Sequence, residues 1–153
     1  MTVGECNLKI KLGTNEDWSL IADIWLRVSL SAHHFIDASY WMSRRTELEV
    51  KYLPLAQTYV CVDEGEIIGF VSMVDDYLAA LFIEEAYQGK GYGAQLVEYV
   101  KRNRKSIMLK VFMKNTSAFQ FYLKQGFIVE QELVDQETNE GEYVMVWASG
   151  CCS

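Results

Sequence analysis

A mixed α/β domain, a sheet with helices on its faces, is predicted by three observations. Apolar residues switch repeatedly between the two-residue period of strands and the roughly 3.6-residue period of helices. Consecutive strand segments are separated by short polar turns. The 153 residues leave room for one core and no second independent one, so a single domain is expected over 1–153. The predicted order is β-α-α-β-β-β-α-β-α-β-β.

Leu8, Ile10 and Leu12 alternate as a first strand. Thr14-Asn15-Glu16-Asp17 has the form of a helix start, and Ile21, Ile24, Trp25 and Val28 recur at helical spacing to near Ser31. His33 to Ile36 reads as a loop and Tyr40 to Tyr52 as a second helix stopped by Pro54. Tyr59–Val62 and Ile67–Val74 form a hairpin about Asp63-Glu64-Gly65, and Asp75-Asp76 turns the chain into a strand over Tyr77–Ile83. A glycine cluster then opens a helix with Gly93, Leu96, Val97 and Val100 on one face. Ile107–Phe112 is a strand and Asn115–Gln125 a helix closed by Gly126. Phe127–Val134 and Tyr143–Trp147 finish the chain around the polar turn Gln136–Gly141.

Composition bounds the function. A hydrophobic share of 50% and a charged share of 23% exclude a disordered, collagen-like or coiled-coil chain. Fourteen basic against 21 acidic residues give a net charge of −7, which speaks against nucleic acid or an anionic membrane as partner and leaves room for a local basic patch. No apolar run approaches the roughly 18 residues of a membrane span, and the first residues lack a secretion-signal pattern, so a cytoplasmic protein is expected. Cys6, Cys61, Cys151 and Cys152 match no zinc or disulfide spacing and read as reduced thiols. The segment 149–153 is expected to be a flexible, exposed end.

The sharpest local signal is a strand followed by Gln88-Gly89-Lys90-Gly91-Tyr92-Gly93-Ala94 and an amphipathic helix. Closely spaced glycines let backbone N–H groups converge without side-chain obstruction, and the helix dipole adds positive potential there. Such a cradle suits a phosphate or pyrophosphate. Lys90 adds a cation, and Lys101, Arg102, Arg104 and Lys105 make the next segment the most basic of the chain. The spacing is neither that of a P-loop nor that of a dinucleotide fingerprint. A tight strand-to-helix turn without a ligand is the bland alternative.

A second motif runs from Asn115 to Phe127, with Asn115 placed to cap a helix, Ala118, Phe121 and Tyr122 on one face, and Gly126 at its end. Together the two motifs resemble the GCN5-related N-acetyltransferases, which pair a Q/R-x-x-G-x-G/A loop with a later N-x-x-A-x-x-x-Y-x-x-x-G-F segment. The matches are Gln88, Gly91 and Gly93, then Asn115, Ala118, Tyr122, Gly126 and Phe127, and the element order agrees over nearly the whole chain.

The resemblance implies a mostly antiparallel sheet whose central parallel pair splays apart, with acetyl-CoA lying in the V. It implies that the strand ending Leu81-Phe82-Ile83 bonds the pantetheine arm, that N–H groups from Gly89 to Ala94 hold the pyrophosphate, that Asn115 contacts the cofactor arm and that Tyr122 sits beside the sulfur. A phenol of pKa near 10 is a donor at neutral pH, although full transfer to a thiolate of pKa about 8.5 is uphill by about 2 kcal/mol. A tyrosine that merely packs is the alternative.

An attacking amine must be neutral, so a base or a water chain to one is expected. Glu84, with Glu85 beside it, is the candidate; both also fit solvated surface carboxylates. The ribosomal-protein branch of the family often carries its base in Leu-Glu-Val on the following strand, where this chain has Leu109-Lys110-Val111. For the acceptor, His33, His34, Phe35, Tyr40 and Trp41 could wall a pocket, since the family varies between its first two helices; an aromatic hinge packed in the core is the competing reading. Adjacent histidines lack the spacing to converge on an ion, so no metal is expected.

The implied activity is acetyl-CoA-dependent transfer of an acetyl group to a primary amine, in a small molecule or a peptide, by direct attack in a ternary complex. A non-catalytic acyl-CoA-binding or sensing module is the alternative. A monomer or homodimer is expected.

Overall fold

The computed structural model describes residues 8–150; Cys6, Cys151 and Cys152, and with them most of the predicted flexible end, lie outside that range. β1 (Leu8–Leu12) leads to α1 (Trp18–Ala32), which buries Ile21, Ala22, Ile24, Val28 and Ser29. The predicted capping sequence forms a closed turn just before the helix: the Asp17 carboxylate accepts the Thr14 N–H at 2.9 Å and makes no cap bond to α1.

α2 (Ala38–Glu47) continues through a π-helical turn, Leu48–Tyr52, into α3 (Leu53–Leu55). Pro54 therefore does not end the helical path at Tyr52 as predicted. The wide turn precedes it, and it sits at the start of α3, where the N–H it lacks is not needed.

β2 (Gln57–Asp63), β3 (Glu66–Val74) and β4 (Tyr77–Ile83) follow as antiparallel neighbours. The β2–β3 turn places both Glu64 and Gly65 at positive φ, the combination that matches the twist of a two-residue hairpin. A 3₁₀ turn at Glu85–Tyr87 leads to the glycine loop and α4 (Tyr92–Lys101). β5 (Ser106–Phe112), α5 (Thr116–Lys124), β6 (Ile128–Val134) and β7 (Gly141–Ala148) complete the fold.

Among the described residues seven strands form one sheet in the order β1-β2-β3-β4-β5-β7-β6. Its one parallel contact among the described residues joins β4 to β5, at Tyr77↔Met108 and Leu78↔Leu109. Immediately afterwards the register of β4 against β3 slips from Leu78 to Ala80, leaving Ala79 as the extra residue of a bulge. A bulge bends the strand that carries it, so β4 turns away from β5 there. The predicted splayed pair is thus present, and beyond Leu78 the β5-facing backbone groups of β4 have no ladder partner.

The core lies on both faces. α4 and α5 cover one with Leu96, Val97, Val100 and Tyr122, packed against Val71, Met73 and Leu109. α1 and α3 cover the other with Ile21, Ile24, Val28 and Leu53 against Val60 and Phe70. Gly69 of β3 lies tight against β4: a Cβ there would stand 2.7 Å from the Phe82 carbonyl oxygen. At the far end, the Ser149 N–H donates to the Lys105 carbonyl at 2.8 Å. No helix among the described residues is long and apolar enough to cross a membrane.

Candidate active site

A cleft of about 670 Å³ opens where β4 and β5 part. Leu81, Phe82 and Ile83 form one wall, the glycine loop and the start of α4 a second, and Asn115 to Tyr122 of α5 a third. Val28, Ser31, Ala32 and His34 close it from the side of α1.

The loop geometry follows from its glycines. Gly89 and Gly91 have φ of +78° and +90°, the left-handed region that other residues enter at a cost, and open space surrounds both. Gly91 occupies the cap position of α4 and no side chain caps that helix. Its first N–H groups, at Tyr92, Gly93 and Ala94, lie beyond the reach of intrahelical bonding and border the cleft. Gly93 serves packing instead, since a Cβ would come within 3.3 Å of the Phe121 ring and its absence lets α4 and α5 approach. Gln88 ties the loop to the strand, its Nε2 donating to the Ile83 carbonyl at 2.8 Å. That carbonyl is therefore already engaged. The arrangement fits an elongated ligand with an anionic middle, meeting N–H groups at the helix start and unpaired strand backbone along β4.

The basic residues after the loop lie elsewhere. Lys101 donates to the Gln125 carbonyl at 2.6 Å and Arg104 to the Val100 carbonyl at 2.8 Å, at the C-terminal end of a helix about 15 Å long. Lys90 holds its ammonium 5.7 Å from the centre of the Tyr87 ring and does not line the cleft. The cradle's positive potential comes from the backbone rather than from these side chains.

Tyr122 is 8% exposed and faces the cleft, packed edge-on against Phe121 and Phe127. Burial, with Tyr77 nearby, pushes its phenol above the usual range. It is a donor throughout the working pH range, and full proton loss is harder than for a free phenol.

The two glutamates separate. Arg27 of α1 donates to the Glu84 carboxylate in an ion pair, and Glu84 is not among the cleft-lining residues. Glu85 does line the cleft, and its carboxylate accepts the Ser31 hydroxyl at 2.7 Å across the mouth.

The aromatic loop divides as well. Of its candidates only His34 borders the cleft. Trp41 is 7% exposed and packs edge-on against Trp25. The Tyr40 hydroxyl donates to Glu137 at 3.1 Å, and its ring lies under Arg44. Phe35 and His33 contact Phe112. His33 and Trp41 are buried, as in the competing reading of an aromatic hinge, whereas Phe35 and Tyr40 are half-buried. Ser31, Lys114, Thr116 and Ser117 also line the cleft, although the sequence motifs did not mark them; the signal for the last two was their place directly after the Asn115 cap.

His33 is 8% exposed, and burial holds its pKa at about 4 against an ordinary 6.5. Above about 6.5 neither the folded nor the unfolded chain carries the proton. Between 6.5 and about 4 the unfolded chain takes it up and the fold does not, so stability falls as pH falls, by up to about 3 kcal/mol. Chemical denaturation across that window is expected to show this loss, and His33→Gln to remove it.

The acetyltransferase (GNAT) domain profile matches residues 54–129. The chain is 34% identical over 128 residues to the peptidyl-lysine N-acetyltransferase YiaC of Escherichia coli (strain K12), covering 83% of this chain and 88% of that protein. The chain belongs to the GNAT acetyltransferase family. The solution structure of apo YjaB from Escherichia coli matches with a TM-score of 0.78 at 29% identity, covering 94% of this chain and 99% of that one. The PaiA N-acetyltransferase of Thermoplasma acidophilum, solved with coenzyme A, matches with a TM-score of 0.76 at 18% identity over 93% and 99% of the two chains, a likeness of fold. As a GNAT enzyme the chain is an acetyl-CoA-dependent N-acetyltransferase with an amine acceptor. Cys61, the one described cysteine, is buried with its thiol pushed up to about 11, and no group of three or more metal-ligating side chains is gathered among the described residues.

Proposed function

We propose that the chain acetylates the ε-amine of lysine in a peptide or protein. The observation that carries this reading is the charge inventory of the cleft. Among the described residues that line it, Glu85 is the one carboxylate and Lys114 the one permanent cation. A lysine side chain presents a single cation on an apolar stem, which Glu85 and the apolar lining of Val28, Ala32 and Phe82 can meet. A polyamine carries several cations, and each one left without a partner in the cleft would forfeit solvation.

Acetyl-CoA supplies an acetyl group activated as a thioester: the C–N bond to the amine forms, the C–S bond breaks, and coenzyme A leaves as a thiolate that takes a proton from solvent, balancing the one the amine gives up. The N–H groups from Gly89 to Ala94 hold the pyrophosphate, and the unpaired edge of β4 at Leu81 and Phe82 runs along the pantetheine arm. Asn115, which caps α5 by accepting the Ala118 N–H at 3.2 Å, borders the same arm. Tyr122 stabilises negative charge developing on sulfur by donating a hydrogen bond, a role its raised pKa favours over full proton transfer. Glu85 at the mouth, rather than the ion-paired Glu84, orients the amine and takes up its proton directly or through water. His34 borders the entry path.

An acceptor panel read by free-thiol release tests this. Lysine peptides are expected to give a kcat/KM at least roughly tenfold above spermidine, a difference of about 1.4 kcal/mol. A preference for spermidine would overturn the lysine assignment.

A further inference from the structure

His33 emerges from the geometry as a residue that neither borders the cleft nor sits idle in the core. It follows the last turn of α1, its N–H bonded to the Ser29 carbonyl and its own carbonyl accepting the Ile36 N–H, each at 2.9 Å. The ring stacks on Trp41 with centroids 5.0 Å apart and meets Phe112 and Phe35 edge-on. Within this apolar box one polar contact crosses between elements: Nε2 lies 3.1 Å from the Asn115 Nδ2.

The direction of that bond follows from the Asn115 network. Oδ1 already accepts the Ala118 N–H at 3.2 Å, so the carboxamide is turned with its NH₂ toward the imidazole. An NH₂ group only donates, so Nε2 must accept, and the single proton of the neutral ring resides on Nδ1. The main chain of Asn115 is equally engaged: its N–H donates to the Phe112 carbonyl at 3.0 Å, and its carbonyl accepts the Phe119 N–H at 3.1 Å. Asn115 is thus the junction of β5 and α5, and His33, at the end of α1, is the side chain that meets its amide directly.

We infer that His33 is a positioning residue of the acetyl-CoA site: through Nε2 it fixes the Asn115 carboxamide and so holds the start of α5 against the segment that carries Ser31 and His34. This rests on the reading of the cleft as the acetyl-CoA site. One ring thereby couples the acceptor side of the cleft, at Ser31 and His34, to the wall that carries Tyr122. Without the acceptor at Nε2, the Asn115 NH₂ would be left half-buried and unpaired, and the carboxamide would be free to turn away from the orientation that caps α5.

Three variants separate positioning from packing. Glutamine places an amide oxygen about where Nε2 stands, asparagine places one about where Nδ1 stands, and leucine fills space with no acceptor. His33→Asn and His33→Leu are expected to raise the KM for acetyl-CoA roughly tenfold, the size of one lost hydrogen bond, with kcat changing less. His33→Gln is expected to stay within roughly threefold of the parent. Equal KM values for His33→Gln and His33→Leu, both folded by circular dichroism, would overturn the inference.

A measurement on the unaltered protein keeps it falsifiable should the variants unfold. Long-range ¹H–¹⁵N correlation spectra at neutral pH are expected to show His33 as the Nδ1-protonated tautomer, whereas an Nε2-protonated or charged ring would overturn the assignment. Calorimetric titration of the parent with acetyl-CoA tests the underlying reading separately. Absence of binding there would remove the site itself, whatever tautomer the ring adopts.

Discussion

Tyr122→Phe is expected to lower kcat by roughly 10²–10³-fold while leaving the dissociation constant for acetyl-CoA within roughly threefold, measured by steady-state thiol release and by calorimetry. The substitution removes one hydroxyl and keeps the ring. The edge-on contacts to Phe121 and Phe127 at 5.2 and 5.6 Å therefore persist, and the fold should melt close to the parent. What is lost is the donor that an apolar cleft wall presents to developing negative charge, where a hydrogen bond is worth more than in water. Because burial raises this phenol, it holds its proton through neutral and mildly alkaline pH, and no loss of activity from its ionisation is expected below about pH 10. Normal turnover by the phenylalanine variant would show that Tyr122 only packs.

Gly91→Ala should weaken acetyl-CoA binding by roughly tenfold or more, and Gly65→Ala should leave it unchanged. Both glycines sit at positive φ, +90° and +84°, with open space where a Cβ would stand. Each alanine thus carries a similar backbone cost of roughly 1–2 kcal/mol, and the two variants should melt at similar temperatures. They differ in what their backbone does. Gly65 turns a hairpin, whereas Gly91 caps α4, whose first N–H groups border the cleft. An alanine that relaxes toward negative φ swings those groups out of convergence. Equal affinities for the two variants, measured by calorimetry, would show that the loop backbone does not hold the cofactor.

Both substitutions fall on features that were legible in the sequence, and the reason is local. A glycine held at positive φ and an asparagine at a helix start report conformations set within a few residues. Gln88, Gly89, Gly91, Gly93, Asn115 and Tyr122 accordingly all border one cleft. Strand and helix order was legible for the same reason, since each element carries its own period.

What escaped the sequence depends on pairings between distant residues. Glu84 and Glu85 are neighbours in the chain, yet one is claimed by Arg27, 57 residues away, and the other faces the cleft beside Ser31. Nothing local distinguishes them. His33 and His34 divide likewise: the first is drawn into an aromatic box and bonded to Asn115, 82 residues on, while the second remains at the cleft. The basic run after α4 pointed to the ligand by charge alone, but Lys101 and Arg104 are spent on carbonyls at the wrong end of the helix. The bulge at Ala79 that bends β4 away from β5 leaves no mark in a strand of ordinary apolar residues.

On this proposal the cleft between β4 and β5 delivers acetyl groups to lysine ε-amines. Incubating the protein with acetyl-CoA and a lysine peptide, counting free thiol and locating the product by tandem mass spectrometry tests that delivery. One acetyl group on a lysine Nε for each thiol released is the result predicted, with both signals lowered together by Tyr122→Phe and, at subsaturating acetyl-CoA, by Gly91→Ala. Thiol release with no acetylated lysine, or acetylation that both variants leave intact, would contradict it.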